Sequence, residues 1–485
     1  MKKTNVSIVT LAIFITTFMT AIEGTIVSTA MPTIVSDLNG LEMMSWVVSI
    51  FLLMTAVSTP LYGKLADSIG RKPVFLFGIL VFVIGSALCA LSQNMVELII
   101  FRIIQGLGSG AIQPVAITII ADMYQLTKRA KMLGLNSSFW GVASIIAPLL
   151  GGFIVQKLSW HWIFLINVPL GLIAFALVLI FHHEPKHKQK SKLDLKGTAS
   201  LSILLLSLML FLQELENGVN WLFLGLMVVF AIIFVLVEKR AEDPIMPLQI
   251  LADREFLAVN LITLIVSGVV IGFEFYIPTW MQGVNGTSAS IAGFAVTPSS
   301  LMWIVGSFFV GGILSRIGIK HTFNFMHLIL ILADIALLLA TVNTPFWVFC
   351  LIAVFNGFAF GAIITASQID SQILVSKKQV GIATGFNTLM KYLGQTMMIS
   401  VYGILFNSII GKQIAANHNL NQAMMNKIVS AEQAKELATN VIPQLRKILL
   451  SGLKGVYIGS LVVLVISLMI NQIYRNHKFT SASHN

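Results

Sequence analysis

Glu23, Arg102, Glu274 and Asp334 are ionisable residues in places where ionisable residues are costly. Each lies inside a long apolar run, and a charged side chain within hydrocarbon costs at least about 2.5–3.5 kcal/mol. Residues kept at that cost serve as a rule in ion and proton pathways or contact charged ligands. Glu23 is the first candidate for proton coupling, since a carboxyl can gain and lose a proton as its surroundings change. It falls about 15 residues into its helix, roughly 22 Å along at 1.5 Å per residue. Arg102, entering from the other side, reaches a comparable depth, and Asp334 joins the two as a further proton candidate. Glu274 stands in Gly272-Phe-Glu-Phe-Tyr276-Ile-Pro278, among aromatics suited to a cation through charge attraction and cation–π contact. Glu23, Glu274 and Tyr276 are therefore candidate contacts for a cationic ligand. Lys391 is available to pair with Glu274 or Asp334. Asp122 and Asp370 fall at helix ends, where a solvated or latching role is expected.

The elements that must position these residues follow from composition. The chain has 485 residues, 56% of them hydrophobic and only 11% charged, with a mean hydropathy of +0.88. Soluble domains carry about 25% charged residues, so most of this chain must face lipid or other membrane helices. A bilayer crossing needs about 20 apolar residues. Windows of that size place fourteen helices near 8–31, 44–62, 74–92, 96–118, 132–155, 161–181, 197–213, 221–237, 257–281, 290–314, 323–342, 345–367, 381–409 and 452–473. The first run follows Lys2 and Lys3 but is too long for a signal sequence, and reads as an uncleaved helix.

The net charge of +11 gives orientation. Of the 31 Lys and Arg residues, 22 fall in segments that one topology places on the same side, and positive loops stay inside. Both termini are thus expected in the cytoplasm of a multi-pass cell-membrane protein, and the basic excess does not argue for nucleic acid. The segment 411–451 would be a long external loop. Cys89 and Cys350 lie in apolar runs and read as small hydrophobes. The histidines of His182-His183-Glu184-Pro-Lys-His187 sit in a basic loop and read as no metal site. Gly106-Leu-Gly108-Ser-Gly110 follows no strand and reads as no phosphate loop. No cofactor is expected, and no pattern of paired acids or nucleophiles suggests an enzyme.

An internal repeat organises the chain. Gly63-Lys-Leu-Ala-Asp67-Ser-Ile-Gly70-Arg71-Lys72 follows the second span, and Gly311-Gly-Ile-Leu-Ser315-Arg-Ile-Gly318-Ile-Lys320 follows the tenth. Each is a basic turn between two helices, as in transporters built from repeated halves.

With these residues in view, the chain resembles the major facilitator superfamily, and within it the fourteen-helix drug:proton antiporters. Gly63, Asp67, Gly70, Arg71 and Lys72 match its gating motif A, and Arg102 with Gln105-Gly106 resembles motif B. Gly141, Pro148, Gly151 and Gly152 resemble the antiporter motif C, although Ala147 stands where a glycine precedes the proline. Glu23-Gly-Thr-Ile-Val27 through Pro32 resembles the first-helix motif, with glutamate for aspartate. Trp160-His161-Trp162-Ile-Phe164 through Asn167-Val-Pro169 resembles the sixth-helix motif. The resemblance implies an all-α major facilitator fold of two six-helix bundles plus two inserted helices. The expected division is a first bundle over 1–181, a linker with the inserted pair over 182–256, and a second bundle over 257–485. It implies export, by alternating access and in exchange for protons, of amphipathic and by preference cationic drugs and biocides. Arg102 would belong to the proton pathway. The partners expected are small amphipathic molecules, protons and the lipid bilayer, with the chain acting as a monomer. Two other readings stay open: a dedicated exporter of one lipid, fatty acid or other natural compound, and a membrane sensor.

Overall fold

The computed structural model describes residues 4–184, 195–214, 219–241, 248–376, 379–417 and 419–473. The described residues are helical almost throughout, as a bilayer demands. With no water in the hydrocarbon core, each backbone N–H and C=O must be satisfied within its own helix. The chain divides into two compact units, Met1–Phe211 with Val219–Ile245, and Leu212–Gly218 with Met246–Asn485.

The first unit contains α1 (Val6–Leu38), α2 (Met44–Ile69), α3 (Arg71–Ala90), α4 (Met95–Met123), α5 (Leu126–Lys157), α6 (Trp162–Phe181), most of α7 (Leu195–Glu214) and α8 (Trp221–Glu238). Short polar residues start several helices. Asn5 accepts from Ile8 N and Asn94 accepts from Glu97 N, satisfying donors that a first turn leaves open. Within the unit α4 packs on α2 and α3, and α1 on α5 and α6. Small residues allow the close approach. A side chain at Gly106 or Gly110 would strike the α2 backbone, and one at Gly108 would strike α3 at Phe82. The glycine-rich stretch on α4 is therefore a two-sided packing seam. Gly151 sits on α1 in the same way, against Ile26 and Thr29, and Ala147 is fully buried beside Pro148 within an unbroken α5.

The second unit contains α9 (Arg254–Thr279), α10 (Ala289–Ile317), α11 (Ile319–Leu339), α12 (Phe346–Ile373), α13 (Val380–Ala415) and α14 (Ile442–Ile473). Here α9 packs on α13 and α14, and α10 on α12. A π-helical turn, Trp280–Val284, extends α9.

Thirteen of these helices are long and apolar enough to cross a membrane. The exception is α7, whose apolar stretch Lys196–Leu212 is shorter; its 17 residues span about 25 Å against a hydrocarbon core of about 30 Å. Only 11% of the apolar window of α8 is buried within protein, so lipid is the remaining partner for its surface.

The segment 411–451, expected as a long, polar and helix-compatible external loop, holds helix over much of its length. α13 continues to Ala415 and α14 begins at Ile442, which leaves a shorter connection holding a helix, Gln422–Ile428, and a 3-10 turn, Gln433–Glu436. Its apolar residues Met425, Ile428 and Val429 are buried. A side chain at Gly283 would meet Val429 and Leu449, so the connection folds down on the π-turn. A polar composition hides this because the anchoring residues are few.

The repeated basic turns share a geometry. Gly70 ends α2 and precedes α3 at φ +102°, and Gly318 ends α10 and precedes α11 at φ +79°, conformations that a side chain disfavours. Two residues later in the first turn, Lys72 donates from Nζ to the carbonyls of Leu179 (2.8 Å) and His182 at the end of α6. Its counterpart Lys320 donates to Gln472 O (2.9 Å) near the end of α14. Each unit thus ties its basic turn to the end of its own sixth helix.

Candidate functional site

Glu23 and Arg102 meet. The Glu23 carboxylate, fully buried on α1, pairs through Oε1 with Nη1 of Arg102 on α4, itself 1% exposed. The second oxygen, Oε2, accepts from Asn167 Nδ2 on α6 at 2.6 Å. Arg102 also donates to Gln105 Oε1 (2.7 Å) and to Val47 O on α2 (3.1 Å). Its guanidinium lies 4.0 Å from the centre of the Phe51 ring. Gln105 is held in turn by Ser86 on α3, to whose Oγ it donates at 2.8 Å. Five helices of the first unit therefore converge on one ion pair. Arginine keeps its charge at every accessible pH, so a proton added to Glu23 in this arrangement would leave a buried cation without its partner, a costly state. A proton on Glu23 would remove the charge attraction that holds the pair. Both carboxylate oxygens are engaged by protein side chains in this arrangement.

A line of further polar contacts follows α1 from the same site. Gln113 donates to Thr20 Oγ1 (3.0 Å), Thr17 donates to Asn136 on α5 (2.8 Å), and the Thr10 and Tyr124 hydroxyls share a hydrogen bond.

In the second unit Glu274 and Tyr276 part company. Two positions on a helix do not share a face, and Tyr276 is fully buried against Phe275, Tyr402 and Phe406. Glu274 keeps some accessible surface, and the charge it interacts with is Lys391 on α13. Lys391 Nζ lies 5.7 Å from the centre of the Trp303 ring on α10. Asp334 on α11 is 2% exposed and belongs with the tyrosines instead. Ser460 on α14 faces both Asp334 and Tyr402, while Asp334 Oδ2 and the Tyr457 hydroxyl have no hydrogen-bond partner among the described residues.

The motif A turn is fixed by a carboxylate from elsewhere. The side chain of Asp67 lies outside the described residues, as does His187. Arg71 pairs with Asp122 at the end of α4. The first backbone N–H groups of α3, at Arg71 and Lys72, donate to Glu184 Oε1 and Oε2, both at 2.9 Å. A carboxylate at a helix N-terminus satisfies open donors and meets the positive end of the dipole. Burial holds the neighbouring His182 imidazole below its ordinary range, with Glu184 pulling the other way. Glu184→Ala is expected to cost about 1–2 kcal/mol, the loss of a helix cap, read as a lower unfolding midpoint in detergent; an unchanged midpoint would discount the cap.

Of the residues gathered here, Ser86, Gln105 and Asn167 have no role that the sequence alone assigns, although Gln105 and Asn167 stand in two of the quoted motifs. Glu184 enters the sequence pattern only as part of a metal-like cluster. Gly63 has no neighbour that a side chain would strike, and Gly152 is buried.

Comparison with known proteins places this architecture. Residues 13–398 match the family described as Major Facilitator Superfamily. The chain is 35% identical over 427 residues to Multidrug resistance protein 3 of Bacillus subtilis (strain 168), covering 85% of this chain and 82% of that one. It is 30% identical over 500 residues to Multidrug transporter protein MdtP of the same organism, covering 96% and 92%. A crystal structure of a bacterial homologue of the human lysosomal transporter Spinster superposes with a TM-score of 0.72. It is 18% identical and covers 98% of this chain and 99% of that one, a likeness of fold.

Proposed function

The chain belongs to the major facilitator superfamily, and on that premise we propose that it exports amphipathic, by preference cationic, drugs and biocides in exchange for protons, by alternating access. The two relatives named above are a multidrug resistance protein and a multidrug transporter. The observation that carries the coupling is the buried pair of Glu23 and Arg102. Protonation removes the charge attraction that holds the pair, so a proton arriving at Glu23 favours whichever conformation separates the two residues. A ligand or proton shifts a conformational equilibrium only by binding the two states differently, and this site supplies such a difference. The cycle runs with Glu23 paired and ionised in one state and protonated and parted in the other. Moving one charge inward through 100 mV supplies about 2.3 kcal/mol per cycle. Glu274 is the acid with accessible surface that attracts the cargo's positive charge, and Asp334 is a further proton acceptor. The tied basic turn at Gly70–Lys72 lies on the cytoplasmic side with both termini, in the cell membrane.

The test is uptake of a fluorescent lipophilic cation by inverted vesicles with and without an imposed pH gradient. Wild type is expected to take it up only with the gradient, Glu23→Gln to lose at least tenfold, and Glu23→Asp to keep part of the rate. Gradient-driven uptake that survives in Glu23→Gln at matched protein levels would remove Glu23 from the coupling.

A further inference from the structure

The two units repeat their turns and seams in one register, and that register sets their polar cores side by side. Gly70 and Lys72 correspond to Gly318 and Lys320. Continued along α3 and α11, the pairing sets Ser86 against Asp334. Gly106 and Gly110 of α4 press on Phe51 and Thr55 of α2, as Gly357 and Gly361 of α12 press on Ser299 and Trp303 of α10. Asn356 therefore stands at the position of Gln105, Ala353 at that of Arg102, and Ser299 at that of Phe51.

In the first unit these positions surround a cation that the chain itself supplies. Arg102 lies against Phe51 and donates to Gln105, which donates in turn to Ser86. In the second unit an alanine replaces the arginine, while a carboxylate replaces the serine. Asp334 is 2% exposed, and Asn356 and Ser299 are 1% exposed. Asp334 Oδ2, both amide atoms of Asn356 and the Ser299 hydroxyl have no hydrogen-bond partner among the described residues. Ser460 holds Asp334 from α14, and the buried Tyr457 hydroxyl, also without a partner there, feels its charge. Buried polar atoms find partners as a rule, and a buried carboxylate needs a counter-charge or a proton.

We propose that Asp334, Asn356 and Ser299 hold a sodium ion, at the register that Arg102 fills in the first unit. The proposal stands apart from the export reading. The ligands on offer are oxygens, which suit hard cations. One carboxylate balances one charge, so a divalent ion would keep an uncompensated charge away from water. A proton would neutralise Asp334 but leave the Asn356 amide and the Ser299 hydroxyl unpaired. Water would pair them and bring no charge. Sodium meets both needs, and it is an alternative to the proton as occupant of Asp334.

The test is binding of radioactive sodium to the purified full chain in detergent. Alongside it, the unfolding midpoint is read in sodium chloride and in choline chloride of equal ionic strength. Wild type is expected to bind sodium at a single saturable site and to unfold at a higher midpoint in sodium, since a ligand of the folded state stabilises it. Asp334→Asn should abolish both effects. Asn356→Ala should weaken binding about tenfold or more, the scale of one polar contact to a charge. A cluster that holds only water predicts equal wild-type midpoints in the two salts, and that result overturns the proposal. Sodium binding that survives Asp334→Asn overturns it too, by putting the ion elsewhere. A larger rise in calcium chloride than in sodium chloride would deny the charge match. Where Asp334→Asn fails to fold, the wild-type comparison between salts and Asn356→Ala decide.

Discussion

Arg102→Met is expected to abolish gradient-driven uptake and to cost about 3–5 kcal/mol of stability, the penalty for stranding one member of a buried pair. The loss is not confined to one contact. Arg102 ties Glu23, Gln105 and the Val47 carbonyl together and stacks on Phe51. Glu23→Gln should cost a similar amount, because it strands the cation. The double variant Glu23→Gln, Arg102→Met removes both charges and should regain most of the lost stability, since replacing a whole buried pair is often near neutral. A double-mutant cycle on unfolding midpoints would then give a coupling larger than either single loss, above about 3–5 kcal/mol. Transport must behave differently. The double variant has no carboxyl at position 23 to carry a proton, so its gradient-driven uptake should stay absent while its stability returns. A double variant as unstable as either single one would deny the compensation, and recovery of coupled uptake would deny the proton role.

That divergence also marks the limit of what the sequence discloses. The spans are legible because about 20 apolar residues between charged turns suit a membrane helix and little else. Glu23 and Arg102 stand out by their cost in hydrocarbon, and their depths come out comparable. That they bond, and that Asn167 takes the other oxygen, depends on how α1, α4 and α6 are rotated about their axes. Apolar runs hide such rotation, because helices hydrophobic all round have no polar stripe to betray their inner face. Glu184 capping α3 is out of reach for another reason: more than a hundred residues separate donor and acceptor, and nothing in the local pattern marks a cap for a distant helix. Glu274 and Tyr276 are neighbours in sequence, but a helix turns about 100° per residue and sends them to different partners. The repeated turn is readable, since a glycine held at positive φ leaves its mark in sequence.

A last result concerns a seam that holds Trp303 in place. Gly357→Val is expected to cost about 3 kcal/mol, the upper end for overpacking, and to lower uptake of every cargo. A side chain at Gly357 would sit 2.6 Å from the Ser299 Cα, and one at Gly361 would sit 2.8 Å from the Trp303 Cα. The obstructing atoms are backbone, so no rotamer change makes room, and α10 must move off α12. In the other direction, a side chain at Gly306 would strike the Phe358 backbone of α12, so the seam closes from both helices. Gly311 and Gly312, further along α10, face open space, with nothing within 4 Å of where a methyl group would stand. Gly311→Ala should therefore raise the unfolding midpoint slightly, by the few tenths to about 1 kcal/mol that alanine gains over glycine in a helix. Glycines on these two helices thus divide by what lies opposite each. If Gly357→Val kept the wild-type midpoint and uptake, α10 and α12 would not be pressed together there, and Trp303 would lose its fixed place beside Lys391.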